Sequence, residues 1–68
     1  MTPAQRRVYD EIASYIMLYG HSPSHHEIGE ALGLNTSTIT RCIEKLAEAG
    51  YITSVPGAAR TLRIVREP

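Results

Sequence analysis

Ser24-His25-His26-Glu27-Ile28-Gly29-Glu30-Ala31-Leu32-Gly33-Leu34-Asn35-Thr36-Ser37-Thr38-Ile39-Thr40-Arg41-Cys42-Ile43-Glu44-Lys45-Leu46-Ala47-Glu48-Ala49 reads as two helices and the turn between them. Ser24 and Glu27 have the spacing of a capping box, just ahead of the apolar positions Ile28, Ala31 and Leu32. Gly33 stops that helix, which the spacing places at 24–32, and Leu34-Asn35-Thr36 follow as the turn. Asn35 or Thr36 caps the next helix, expected at 37–49, whose inward stripe is Ile39, Ile43 and Leu46. Gly50 closes it. Two short helices joined by a tight glycine-containing turn form a helix-turn-helix.

Upstream, Thr2-Pro3-Ala4-Gln5 is a second helix-start pattern: a capping threonine, a proline at the first helical position, and a glutamine that completes the box. Val8, Ile12, Tyr15, Ile16 and Tyr19 then recur at helical spacing until Gly20. His21-Ser22-Pro23 is a short extended connector, because the residue before proline avoids the helical region. Downstream, residues 51–55 are β-branched and aromatic, Pro56-Gly57-Ala58-Ala59 is a turn, and residues 61–65 alternate polar and apolar. The fold class is therefore mainly α with a small β-hairpin. It is a three-helix winged helix-turn-helix in one domain, 1–68. The expected core is Val8, Ile12, Ile16, Ile28, Leu32, Ile39, Ile43, Leu46, Ile52, Leu62 and Ile64.

A chain of 68 residues buries only about 60 % of the surface its unfolded form exposes, so each large apolar residue matters. Hydrophobic residues make up 43 % of it, normal for a globular fold and too many for a disordered tail. Cys42 stands alone, so no internal disulfide forms, which fits a reducing compartment. No apolar run approaches the roughly 20 residues of a membrane span, and the first residues lack a signal-peptide pattern. The expectation is a cytoplasmic protein with no membrane partner. Net charge is zero, with seven basic and seven acidic residues, and this counts against a strongly basic binder of nucleic acid. The distribution is uneven, however. From Tyr51 onward three arginines face one acid, and Arg41 and Lys45 precede them, which gives the C-terminal third a local positive field.

At 100° per residue, Ser37, Arg41 and Glu44 project away from the apolar stripe of the third helix, flanked by Thr38 and Lys45. Arg41 can grip a guanine edge with two hydrogen bonds. Ser37, Thr38 and Thr40 can reach a base, a thymine methyl or a phosphate, and Glu44 can accept from cytosine. The alternative reading of each is an ordinary solvated residue. The N-terminus of the second helix favours an anion, which makes Ser24 and His25 candidates for a phosphate, with capping alone the simpler role for Ser24. In the hairpin tip, Gly57 permits close backbone approach, and Arg60 can meet a phosphate or the minor groove.

Thr-Pro-Ala-Gln-Arg-Arg-Val-Tyr-Asp-Glu-Ile (2–12), Gly-His-Ser-Pro-Ser-His-His-Glu-Ile (20–28), Leu-Gly-Leu (32–34), Leu-Ala-Glu-Ala-Gly-Tyr-Ile (46–52) and Pro-Gly-Ala-Ala-Arg-Thr-Leu-Arg-Ile (56–64) together resemble the N-terminal DNA-binding domain of LexA-type repressors. The resemblance runs nearly end to end. It implies a winged three-helix fold and repression by operator binding, usually as a dimer. It also implies operator reading by the start of the third helix, here Ser37, Thr38, Thr40, Arg41 and Glu44. LexA-type repressors add a C-terminal self-cleaving peptidase that dimerises them, and the 68 residues match none of that part. Residues 35–40 differ from the best-known members, so the resemblance does not transfer an operator sequence. His25 stands where an arginine is common.

His21, His25, His26 and Cys42 lack zinc-site spacing, and no carboxylate pair, nucleophile–base set or phosphate-binding glycine loop appears. No metal, cofactor or catalytic site is expected. The expected partner is double-stranded DNA, as a palindromic operator, bound by a protein that is monomeric in free solution and dimeric on DNA. The rival reading is a winged-helix module that binds another protein, which the zero net charge leaves open. Whether the chain is a natural single-domain protein or part of a longer repressor also stays open.

Overall fold

Each helix begins where a side chain takes over a backbone N–H that the helix itself leaves free. A computed structural model describes residues 1–68. In it α1 spans Pro3–Tyr19, α2 His25–Leu32 and α3 Thr36–Glu48. Thr2 and Gln5 close a reciprocal capping box on α1, as Ser24 and Glu27 do on α2. Of the two candidate caps for α3, Asn35 is the one used. Its Oδ1 accepts from Thr38 N at 3.0 Å, and also from the hydroxyls of Ser37 and Thr38. The α3 helix therefore starts one residue earlier than the apolar stripe suggested, and it also ends one residue earlier.

The turn between α2 and α3 is tight because Gly29 has no side chain. Leu34 N donates to Gly29 O at 3.0 Å. A Cβ at Gly29 would lie 2.6 Å from the Leu34 carbonyl oxygen, which is backbone and cannot rotate away.

The core collects Val8, Tyr9 and Ile12 from α1, Ile28 from α2, Ile39, Cys42, Ile43 and Leu46 from α3, and Ile52 and Leu62 from the hairpin. Ile16, Leu32 and Ile64, expected inside, are only partly buried and pack against its edge. Tyr9 enters instead, because its hydroxyl can donate to Arg66 O at 3.0 Å while its ring is buried. Its ring also meets Tyr51 edge-on at 6.4 Å between centroids.

The hairpin pairs β1 (Ile52–Thr53) with β2 (Arg63–Ile64), antiparallel, with Ile52 opposite Ile64 and Thr53 opposite Arg63. Both strands are shorter than the five residues expected for each. At the tip end, Val55 N donates to the Thr61 hydroxyl at 2.9 Å instead of to a backbone carbonyl, and Pro56 has no N–H to give. Val55-Pro56-Gly57-Ala58 then forms a turn closed by Ala58 N to Val55 O at 3.1 Å. Gly57 holds the positive φ (+78°) that follows proline in a type II turn. At the open end Tyr51 O accepts from both Val65 N and Arg66 N, which ends the regular ladder. Arg66 straps the C-terminal segment down, with its guanidinium 4.1 Å over the Tyr51 ring and donating to Ala49 O at 2.7 Å. No helix is long and apolar enough to cross a membrane.

Candidate nucleic-acid interface

Because Ile39, Cys42, Ile43 and Leu46 are buried, the rest of α3 must face outward. Ser37, Arg41, Glu44 and Lys45 are exposed, and Thr38 and Thr40 lie half-buried at the edges of that face. Arg41 sits at its centre.

The basic side chains divide sharply. Arg6 pairs with Asp10, Arg7 donates to Leu32 O, Lys45 lies 3.6 Å from Glu48, Arg60 pairs with Glu27, and Arg66 holds Ala49 O. Arg41 and Arg63 alone make no hydrogen bond or ion pair within the chain. A guanidinium has five N–H donors in a planar fork, and water satisfies them in the free protein. Arg41 is thus available for a planar acceptor such as a base edge or a phosphate.

Thr40 is tied to the helix below it. Its hydroxyl hydrogen-bonds His25 Nδ1 at 3.0 Å, joining the first turn of α2 to α3. His25, Thr40 and Glu44 line one side of a groove, and Ser54, Pro56 and Gly57 of the wing line the other. Four of the residues expected at the interface, His25, Thr40, Glu44 and Gly57, therefore share one groove. Ser37, Arg41 and Lys45 lie on the α3 face.

Ser24 caps α2: its Oγ accepts from Glu27 N at 3.1 Å, and its own N–H donates to Glu27 Oε1 at 2.9 Å. The helix N-terminus, expected to favour an external anion, already carries the Glu27 carboxylate.

Arg60 is placed differently from a free wing-tip cation. It lines a second hollow beside His25, Ser54, Pro56 and Gly57, and its guanidinium is turned back onto α2. Its Nη1 is 2.8 Å from Glu27 Oε1 and its Nη2 donates to Oε2 at 3.0 Å, a bidentate pair, while Nη1 also donates to Ser22 O at 3.2 Å. Its φ of +57° makes it the one non-glycine residue in the left-handed region. The Ser24 backbone N–H first, and then the Arg60 guanidinium, hold the Glu27 carboxyl well below its ordinary value of 4.5, at about 2. The Glu27 carboxylate in turn raises the Arg60 pKa.

Ser22 and Glu27 were invisible as site residues in the sequence. Ser22 looked like connector and Glu27 like a helix-start acid. Ser22 is buried, accepts from Leu62 N at 3.1 Å through Oγ, and accepts from Arg60 through its carbonyl. No local pattern in the sequence links Ser22 or Glu27 to Arg60.

The model of the LexA DNA binding domain matches residues 1–61. The LexA repressor of Staphylococcus epidermidis is 40 % identical over 68 residues, covering 98 % of this chain and 33 % of that protein. That of Frankia casuarinae is 38 % identical over 66 residues, 96 % of this chain and 26 % of that protein. That of Magnetococcus marinus is 37 % identical over 67 residues, 98 % of this chain and 29 % of that protein. The chain therefore spans a third or less of these relatives. Among solved structures, the N-terminal domain of AraR, crystallised in complex with mutant ORR3, superposes with a TM-score of 0.61 at 26 % identity, over 93 % of this chain and 97 % of that one. With its three capped helices, its short wing and the match across residues 1–61, the chain belongs to the LexA DNA-binding domain family.

Proposed function

We propose that the chain is the operator-binding part of a transcriptional repressor, reading double-stranded DNA with α3 in the major groove. The observation that carries this is Arg41: exposed, unpaired, and centred on the face of α3 that the core leaves free. Arg41 reads a base edge, Ser37 and Glu44 lie beside it, and Thr38, Thr40 and Lys45 complete the face. His25 meets the sugar-phosphate backbone as it passes the start of α2, Ser24 serves beside it as the cap of that helix, and Gly57 brings the wing backbone to the duplex. The chain's own part is binding without catalysis.

Few cations remain for phosphates, so the electrostatic component per copy is small. A single module of this kind buries about 600–1,000 Å². Useful affinity then requires two copies on a palindrome, monomeric before they meet it. The test is a salt titration of binding to a duplex with one half-site and to a duplex with two. Expected is binding that weakens steeply with salt and is tighter on the two-site duplex, by roughly 10²–10⁴-fold when two copies are joined by a linker for the same titration. Binding that ignores salt, or no duplex binding at any salt, contradicts the proposal and favours a protein-binding module.

A further inference from the structure

Arg60, Glu27 and Ser22 join parts of the chain that share no regular structure. Glu27 is in the first turn of α2, Ser22 in the α1–α2 connector and Arg60 in the wing, 33 residues beyond Glu27. Tyr15 of α1 adds its hydroxyl to the same carboxylate at 3.4 Å. The hairpin ladder that should hold the wing is only two residues long on each strand, and Thr61 closes the tip upon itself. Nothing in the ladder fixes how the tip leans towards α3. Two contacts to the connector do: Leu62 N on Ser22 Oγ, and the Arg60 fork on Glu27 and the Ser22 carbonyl. Arg60 adopts a left-handed backbone to make its contact, a conformation that persists only where its surroundings over-determine it.

From this geometry we infer that Arg60 is a positioning residue: clamped by Glu27 and Ser22, it sets the wing against α2 and so presents Gly57 to DNA, instead of contacting a phosphate itself. The inference rests on the DNA-binding reading above. Glu27 is its silent partner. A carboxylate beside a phosphate-binding surface repels DNA unless it is neutralised, and the bidentate pair neutralises it.

The two roles of Arg60 predict opposite results. Glu27→Gln keeps the capping box, which glutamine also completes, but removes the charge that grips Arg60. Arg60→Lys keeps a cation able to meet phosphate but loses the planar fork. Affinity and salt slope would be measured on a duplex selected with the parent protein, for Glu27→Gln, Arg60→Ala, Arg60→Lys and the double variant Glu27→Gln/Arg60→Ala. Denaturant melts would correct each affinity to the folded fraction. With Arg60 as a clamp, all three single variants weaken binding by roughly threefold or more, the double variant is no worse than either of its parents, and the salt slope is unchanged. The inference is overturned if Glu27→Gln binds as tightly as the parent or tighter. It is equally overturned if Arg60→Lys retains affinity while Arg60→Ala lowers the slope by about 1, as loss of a phosphate contact does. If the parent itself shows no salt-dependent duplex binding, the underlying DNA-binding reading falls first.

Discussion

Glu27 is bonded on three sides, by the Ser24 N–H, the Arg60 fork and the Tyr15 hydroxyl, and the first two favour its charged form. A carboxyl whose folded pKa is depressed contributes stability that is present above its ordinary pKa and is lost as pH falls through the folded value. That window runs from about 4.5 down to about 2 for Glu27. The parent is therefore expected to be more stable than Glu27→Gln at neutral pH, with the gap closing across that window in denaturant melts. A gap that stays constant with pH would show that the carboxylate is not held this way. The exposure of Arg41 was legible because it follows from one helix, at 100° per residue from a stripe that the core had to claim. The partner of Arg60 was not legible. Nothing local links two residues on different elements, and a wing-tip arginine reads the same in sequence whether it faces a phosphate or a carboxylate of its own chain.

Helix starts were the most readable elements, because a cap and its partner lie three residues apart and leave their signature in the sequence. Strand ends were not. The β-branched and aromatic run of residues 51–55 and the alternation of residues 61–65 report strand character, but the ladder stops where Thr61 and Tyr51 divert the backbone partners. The role of Gly29 is not legible either: inside a helix it looks like a weak helix former, and only the return of Leu34 against it shows why it is glycine. Gly29→Ala should raise helix propensity, yet it forces the α2–α3 turn apart. A net destabilisation of about 1–3 kcal/mol is expected, as overpacking typically costs, read as a lower denaturant midpoint. An unchanged or higher midpoint would mean the turn can open without loss, and the relative placement of the two helices would then be loosely fixed.

At the scale of the whole molecule, five of the seven basic side chains make contacts within the chain, and three of them, Arg7, Arg60 and Arg66, join different elements: α1 to α2, the wing to α2, and the C-terminal strap to the end of α3. The unpaired charge left is correspondingly small: Arg41 on α3 and Arg63 on β2. The overall design was readable from the order of caps, stripes and turns. The assignment of each charge was not, because it depends on the tertiary arrangement. On the proposed reading, sequence preference comes from α3, with Arg41 as its strongest reader. The most direct measurement is selection of bound duplexes from a random pool, carried out in parallel with the parent and with Arg41→Ala. Expected is a defined motif for the parent, relaxed at one base pair in the variant, with a loss of about 1–3 kcal/mol on the parent's preferred site. No motif for the parent, or an identical motif and affinity for Arg41→Ala, would contradict the placement of α3 as the reading helix.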